Sequence, residues 1–233
     1  TRIARTTRRR VMMDVGGVVV VRNRYLYTAA GGDRRFFVKG VAFPDPPPLK
    51  PPTATPENPH PSVPPFNYNA TAWIAILEQL REAVPDIDEL NAVRIYRLDP
   101  SLDYSEFFNA AADLGFYVLV PLTSARDDST VLDRSKPAPL CYPQSLLEYG
   151  IRAWKNYGRY PNILAGVVGN EVLNNFESWH AAPCIKAYAR DLKRHMRAER
   201  DASYFANRTY QDQILTLPLM YAAQHFGIGA VLT

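Results

Sequence analysis

Five short apolar runs, with helical periodicity between them, govern what this chain can become. The runs are Phe36–Phe43 (FFVKGVAF), Ala92–Leu98 (AVRIYRL), Phe116–Leu122 (FYVLVPL), Asn162–Asn170 (NILAGVVGN) and Ile214–Ala222 (ILTLPLMYA). Trp73, Ile76, Leu77, Leu80 and Val84 fall on one helical face, and Pro85 ends that helix. Further helices are predicted over Tyr104–Leu114, closed by Gly115, over Gln144–Tyr157 and over Ala182–Glu199. The order is βαβαβαβαβ. Near-continuous apolar strands joined by helical crossovers mean a parallel sheet with helices on its faces. A doubly wound sheet and a TIM barrel both fit. No glycine-rich phosphate loop follows the first run, which argues against the nucleotide-binding version. Ahead of it, Val18–Val21 and Tyr25–Tyr27 flank Arg22-Asn23-Arg24 and read as a hairpin.

The 233 residues are 47% apolar, enough for a core. The formal charge of +4 belongs to the first ten residues, which hold five arginines and no acid; without them it is −1. A nucleic-acid or acidic-membrane partner would rest on that tail alone, and none is expected. Residues 1–17 read as a basic irregular arm, because Asp14 interrupts the apolar stretch that would otherwise resemble a signal peptide. The chain starts at Thr1 rather than Met, as a processed form, an excerpt or a fragment does. The domain is expected over 18–233. Within it the segment 44–65 holds eleven of the twenty prolines and reads as a long surface loop. Cys141 and Cys184 lack metal-type spacing, and their disulfide state stays open. Sequons begin at Asn69 and Asn207.

In a barrel, reactive groups sit at the C-terminal ends of strands. The second run carries Arg94 and Tyr96 there, and the fourth ends in Asn170-Glu171. A carboxylic acid at a strand end projects over the barrel mouth, and an adjacent Asn can hydrogen-bond a sugar hydroxyl. This pairing is similar to that of a large clan of retaining glycosidases, whose Glu protonates the leaving oxygen and then activates the acceptor. Longer segments resemble one family, the fungal 1,3-β-glucanosyltransferases of glycoside hydrolase family 72. They are FFVKGVAF, AVRIYRLDPSLDYSEFFNAAADLGFYVLV, YPNILAGVVGNEVLNN with AAPCIKAYARDLKRHM, and LPLMYAAQ, all in the family's order.

The resemblance implies a (β/α)8 TIM-barrel type of α/β fold, here incomplete at about five βα units. It implies β-1,3-glucan as substrate, retaining transglycosylation, no cofactor or metal, and an extracellular or cell-surface setting. Membrane attachment would come only through a lipid anchor that this sequence does not show. Glu171 matches the acid/base, Asn170 the residue on the donor 2-hydroxyl, Tyr96 an active-site tyrosine, Arg94 its strand neighbour and Asn174 (with Asn175) the following loop. Trp179 and the other tyrosines could stack on sugar rings, but aromatics at such places are more often packing, and none is counted as a site residue. The chain departs from the family at Phe43-Pro44, where Tyr-Gln is usual, and at Pro121, where an acid is usual. Downstream of Glu171 the only glutamates are Glu177, in the same loop, and Glu199, in a helix. The nucleophile is therefore expected to be missing and the chain inactive alone. A non-catalytic glucan-binding remnant and a hydrolase of another family in the clan are the alternatives.

Overall fold

Asn69 opens the first helix, α1 (Ala70–Ala83), by accepting the Ala72 amide at 3.0 Å on its side-chain oxygen. The computed structural model describes residues 19–22, 25–28, 34–43, 68–124, 131–174, 176–205 and 216–223. The basic arm, the turn at 31–33, the proline-rich loop, Asn175 and the second sequon lie outside them. Trp73 and Leu77 of α1 are buried, and the helix stops at Val84, before Pro85. Arg81 closes its end. Its guanidinium donates to the carbonyls of Val84, Leu90 and Leu114 at 2.9–3.0 Å and lies 4.2 Å from the Phe116 ring centroid. One side chain thus satisfies acceptors at the ends of two helices.

Helix α2 (Ser105–Asp113) ends in a Schellman motif: Gly115, at φ 76°, donates to Ala112, and Phe116 donates to Ala111. Only a residue free of the Cβ penalty takes that turn cheaply, and it delivers the chain straight into a strand. Helix α3 (Gln144–Tyr157) buries Leu146, Tyr149, Gly150, Ala153, Trp154 and Tyr157, an unbroken i, i+3, i+4 stripe. Helix α4 (Ala182–Phe205) runs six residues past its predicted end. Tyr188 of α4 passes against Gly150, where a Cβ would collide with it, and its hydroxyl donates to the Leu122 carbonyl. Cys141 and Cys184 are joined in a disulfide that ties the loop before α3 to the start of α4.

Eight strands are described. β1 (Val19–Arg22), β2 (Tyr25–Thr28) and β3 (Arg35–Phe36) form an antiparallel sheet. β4 (Gly40–Ala42), β5 (Ala92–Arg94), β6 (Tyr117–Pro121), β7 (Ile163–Asn170) and β8 (Leu219–Ala222) lie side by side in chain order, every pairing parallel. This is the order a barrel requires and not the order of a doubly wound sheet, whose strand sequence reverses. Five strands make an open arc of such a barrel.

The predicted run Phe36–Phe43 does not form one buried strand. Phe36 pairs with the hairpin, and residues 40–42 join the parallel sheet and are exposed. Asn91 causes the break: its side chain accepts the Lys39 amide and donates to the Phe37 carbonyl, each at 2.9 Å, which pins the segment between the two sheets. The second run stops at Arg94 instead of Leu98, and the fifth starts only at Leu219.

Side chains alternate across the sheet. Val93, Val118, Val120 and Leu122 enter the large core shared with the helices. Leu119, Leu164 and Ala165 face the other way and pack with Val19, Leu26, Phe36 and Tyr117. Tyr117 opens β6 and Leu164 is second in β7, so the hairpin sheet covers the N-terminal ends of the barrel strands. The C-terminal ends are left for a cleft.

Candidate functional site

A cleft of about 800 Å³ opens across the C-terminal ends of β5, β6 and β7. Arg94 is the last residue of β5 and Asn170 the last of β7. The two are linked across the mouth: Arg94 Nη2 donates to Asn170 Oδ1 at 2.5 Å. The Arg94 guanidinium carbon lies 4.3 Å from the Tyr96 ring centroid. Its Nε is buried without a hydrogen-bond partner among the described residues. The fork is thus fixed on two sides, by an amide and a ring face, with a donor in reserve.

Glu171 follows Asn170 and leaves the strand abruptly. Its φ is 49°, in the left-handed region that a branched or long side chain adopts only when its surroundings hold it there. Two bonds supply that hold. The Glu171 amide donates to the Ala222 carbonyl of β8 at 2.8 Å, and the Leu173 amide donates to the Tyr221 hydroxyl at 2.9 Å. Burial pushes the Tyr221 hydroxyl pKa up, while the amide donors oppose the shift. The carboxyl of Glu171 stays exposed on the rim.

The sequence-predicted residues Arg94, Tyr96, Asn170, Glu171 and Asn174 all line this one cleft. The loop after β6 adds two that sequence reasoning missed. Arg134 faces the Glu171 carbonyl at 3.5 Å. Asp133 is a second carboxylate in the wall. Its Oδ1 accepts from Ser135 Oγ at 2.6 Å and the Ser135 amide at 3.0 Å, and its Oδ2 takes Lys136 Nζ at 2.9 Å. The Ser135 hydroxyl first, and Lys136 next, hold its carboxyl down to about 2. Both oxygens are engaged in a local turn, so Asp133 shapes the wall rather than offering a free carboxylate. The Asp-x-Ser spacing is the legible signal for that turn; nothing in the sequence signals that it reaches the mouth.

The two glutamates downstream of Glu171 stand elsewhere. Glu177 is exposed on the 3-10 helix Phe176–Ala181, inside the segment predicted as plain loop. Glu199 binds Lys155 at 2.6 Å, between α4 and α3 in the outer layer. Among the described residues no group of three or more His, Cys, Asp and Glu side chains is arranged to hold a metal. No helix among them is long and apolar enough to cross a membrane.

Comparison with known proteins agrees with this layout. The profile of the glucanosyltransferase family of glycoside hydrolases, family 72, matches residues 8–209. The 1,3-beta-glucanosyltransferase gel1 of Aspergillus fumigatus is 29% identical over 171 residues, 72% of this chain and 33% of the relative. The 1,3-beta-glucanosyltransferase gas1 of Schizosaccharomyces pombe is 28% identical over 185 residues, 77% of this chain and 30% of the relative. Among solved structures, Saccharomyces cerevisiae Gas2p in complex with laminaripentaose superposes with a TM-score of 0.62 at 20% identity, over 89% of this chain and 40% of that one. The chain therefore spans about a third of the length of these sequence relatives.

Proposed function

This chain belongs to the glucanosyltransferase family, and from that premise we propose that its cleft binds β-1,3-glucan and carries the acid/base half of a retaining transglycosylation. The observation that carries the reading is the rim itself: Glu171, held in a left-handed turn, beside an Asn170 fixed by Arg94. A carboxyl at that place protonates the departing glycosidic oxygen and then takes the proton of the incoming sugar hydroxyl. Asn170, oriented through its oxygen by Arg94, keeps its side-chain NH2 for the donor 2-hydroxyl. Tyr96 and Asn174 offer a ring face and an amide on either side. The reading extends to a barrel-like unit over 18–233 and an extracellular setting, with glycosylation or lipid anchoring where the whole protein carries those signals. The Cys141–Cys184 bond supports an oxidising compartment.

Retention needs a second carboxylate about 5–5.5 Å from the first. Asp133, the other carboxylate in the cleft wall among the described residues, has both oxygens committed to its own turn. That observation favours binding without turnover by these 233 residues. The test uses reduced laminari-oligosaccharides. Calorimetry should show binding that Asn170→Ala weakens, and mass analysis should show no longer or shorter products. Transfer products that fall by about 10²–10⁴ in Glu171→Gln would establish Glu171 as the acid/base and overturn the inactivity. Transfer unaffected by Glu171→Gln, or no binding at all, would sink the reading.

A further inference from the structure

Residues three apart in a 3-10 helix eclipse one another. In the helix Phe176–Ala181 this places the rings of Phe176 and Trp179 together, with centroids 4.4 Å apart and planes at 51°. Both face solvent: Phe176 is 80% exposed and Trp179 38%. The helix beneath them is anchored, because Ser178 and Ala181 are buried. The rings are thus displayed on a fixed base, and their apolar area is left in water. A contiguous apolar patch of this kind on a firm support marks a contact surface. It also adjoins the cleft. Asn174 lines the cleft wall, and Phe176 is two residues on, a reach of at most about 7 Å.

We propose that Phe176 and Trp179 form an aromatic platform that extends the cleft and stacks on a glucose unit of β-1,3-glucan outside the reacting pair. The proposal rests on the glucan reading above. A β-linked glucose carries its hydroxyls around the ring edge and only C–H bonds on its two faces. The flat face of a single aromatic ring fits such a face, and the second ring, tilted at 51°, flanks it. The exposed polar groups of Glu177 and His180 on the same helix, and of Asn174 beside it, suit the hydroxyl edge. Continuity with the cleft selects this occupant, since Phe176 stands within about 7 Å of Asn174 on the cleft wall.

The chain has three tryptophans, and Trp73 and Trp154 are fully buried. Iodide quenching of tryptophan fluorescence therefore reads Trp179. Laminarihexaose should protect it saturably, in step with calorimetric binding, and cellohexaose should not. Phe176→Ala should weaken laminarihexaose binding about tenfold, the effect of about 1.4 kcal/mol. Trp179→Phe should remove the signal and keep most of the affinity. Calorimetric binding with unchanged quenching would overturn the platform and leave the glucan reading standing. Loss of all binding in the folded parent chain would overturn both. A parent chain that dimerises on sedimentation, with a Phe176→Ala variant that stays monomeric and binds glucan normally, would assign the rings to a second copy instead.

Discussion

Val120 and Val41 are the same residue in parallel strands of one sheet, and their surroundings are opposite. Val120, in β6, is fully buried, and most of β6 and β7 is buried with it. Val41, in the edge strand β4, is 37% exposed, as is Met220 of the other edge strand, β8. Strand chemistry is alike in the middle and on the flanks; neighbours are not. The middle strands have a partner on each side and the layer formed by α2, α3 and α4 over one face. The flanking strands have one hydrogen-bonded partner each among the described residues. The candidate site follows the same division. Arg94 and Asn170 end strands paired on both sides, and Glu171 is braced onto β8 by main-chain and tyrosine bonds. Chemistry that depends on placement within fractions of an ångström belongs on the better-held part of a sheet.

The contrast breaks most visibly at Val120. Val120→Lys puts an unpaired charge into the core and should cost more than about 4 kcal/mol, enough to abolish a cooperative urea transition. A folded Val120→Lys chain would mean the middle is less closed than its burial indicates. A smaller effect is expected at the brace between the regions. Tyr221→Phe leaves the buried Leu173 amide without its acceptor and should cost about 1–3 kcal/mol in the same experiment. Glucan affinity should fall with it, because Glu171 and Asn174 share that loop; unchanged stability and affinity would show that the loop holds itself. The smallest effect belongs to the flank. Val41→Lys should change stability by no more than about 0.5 kcal/mol in the same urea experiment. If it destabilises the chain as Val120→Lys does, the flank is covered after all.

Much of this was readable from the residues. The Gln144–Tyr157 helix was legible because its apolar stripe is unbroken, and the Tyr104–Leu114 helix because Gly115 marks its end. Four of the five cleft residues, Arg94, Tyr96, Asn170 and Glu171, were legible because barrel chemistry gathers at strand ends; Asn174 came only from the family resemblance. The Phe36–Phe43 run misled. Its hydrophobicity reports the wish to be buried, while the bend imposed by Asn91, some fifty residues away in sequence, decides which part joins which sheet. Trp179 stayed open between packing and sugar stacking: an aromatic residue carries no mark of which side of a helix faces water, and it lies outside.

By itself the sequence determined the alternation of strand and helix, the parallel sense of the sheet and the places of Arg94, Tyr96, Asn170 and Glu171 where strands end. Those follow from local rules: side-chain periodicity, turn chemistry and chain reach act between neighbours along the chain. Tertiary structure alone decided that the strands line up in barrel order and that the two cysteines meet. It also decided that the Asp133 turn reaches the cleft mouth, that Glu171 sits in a left-handed turn, and that Phe176 and Trp179 face solvent. Each of these depends on which distant segment arrives beside it, and a contact across forty or more residues has no trace in the local pattern that either partner carries.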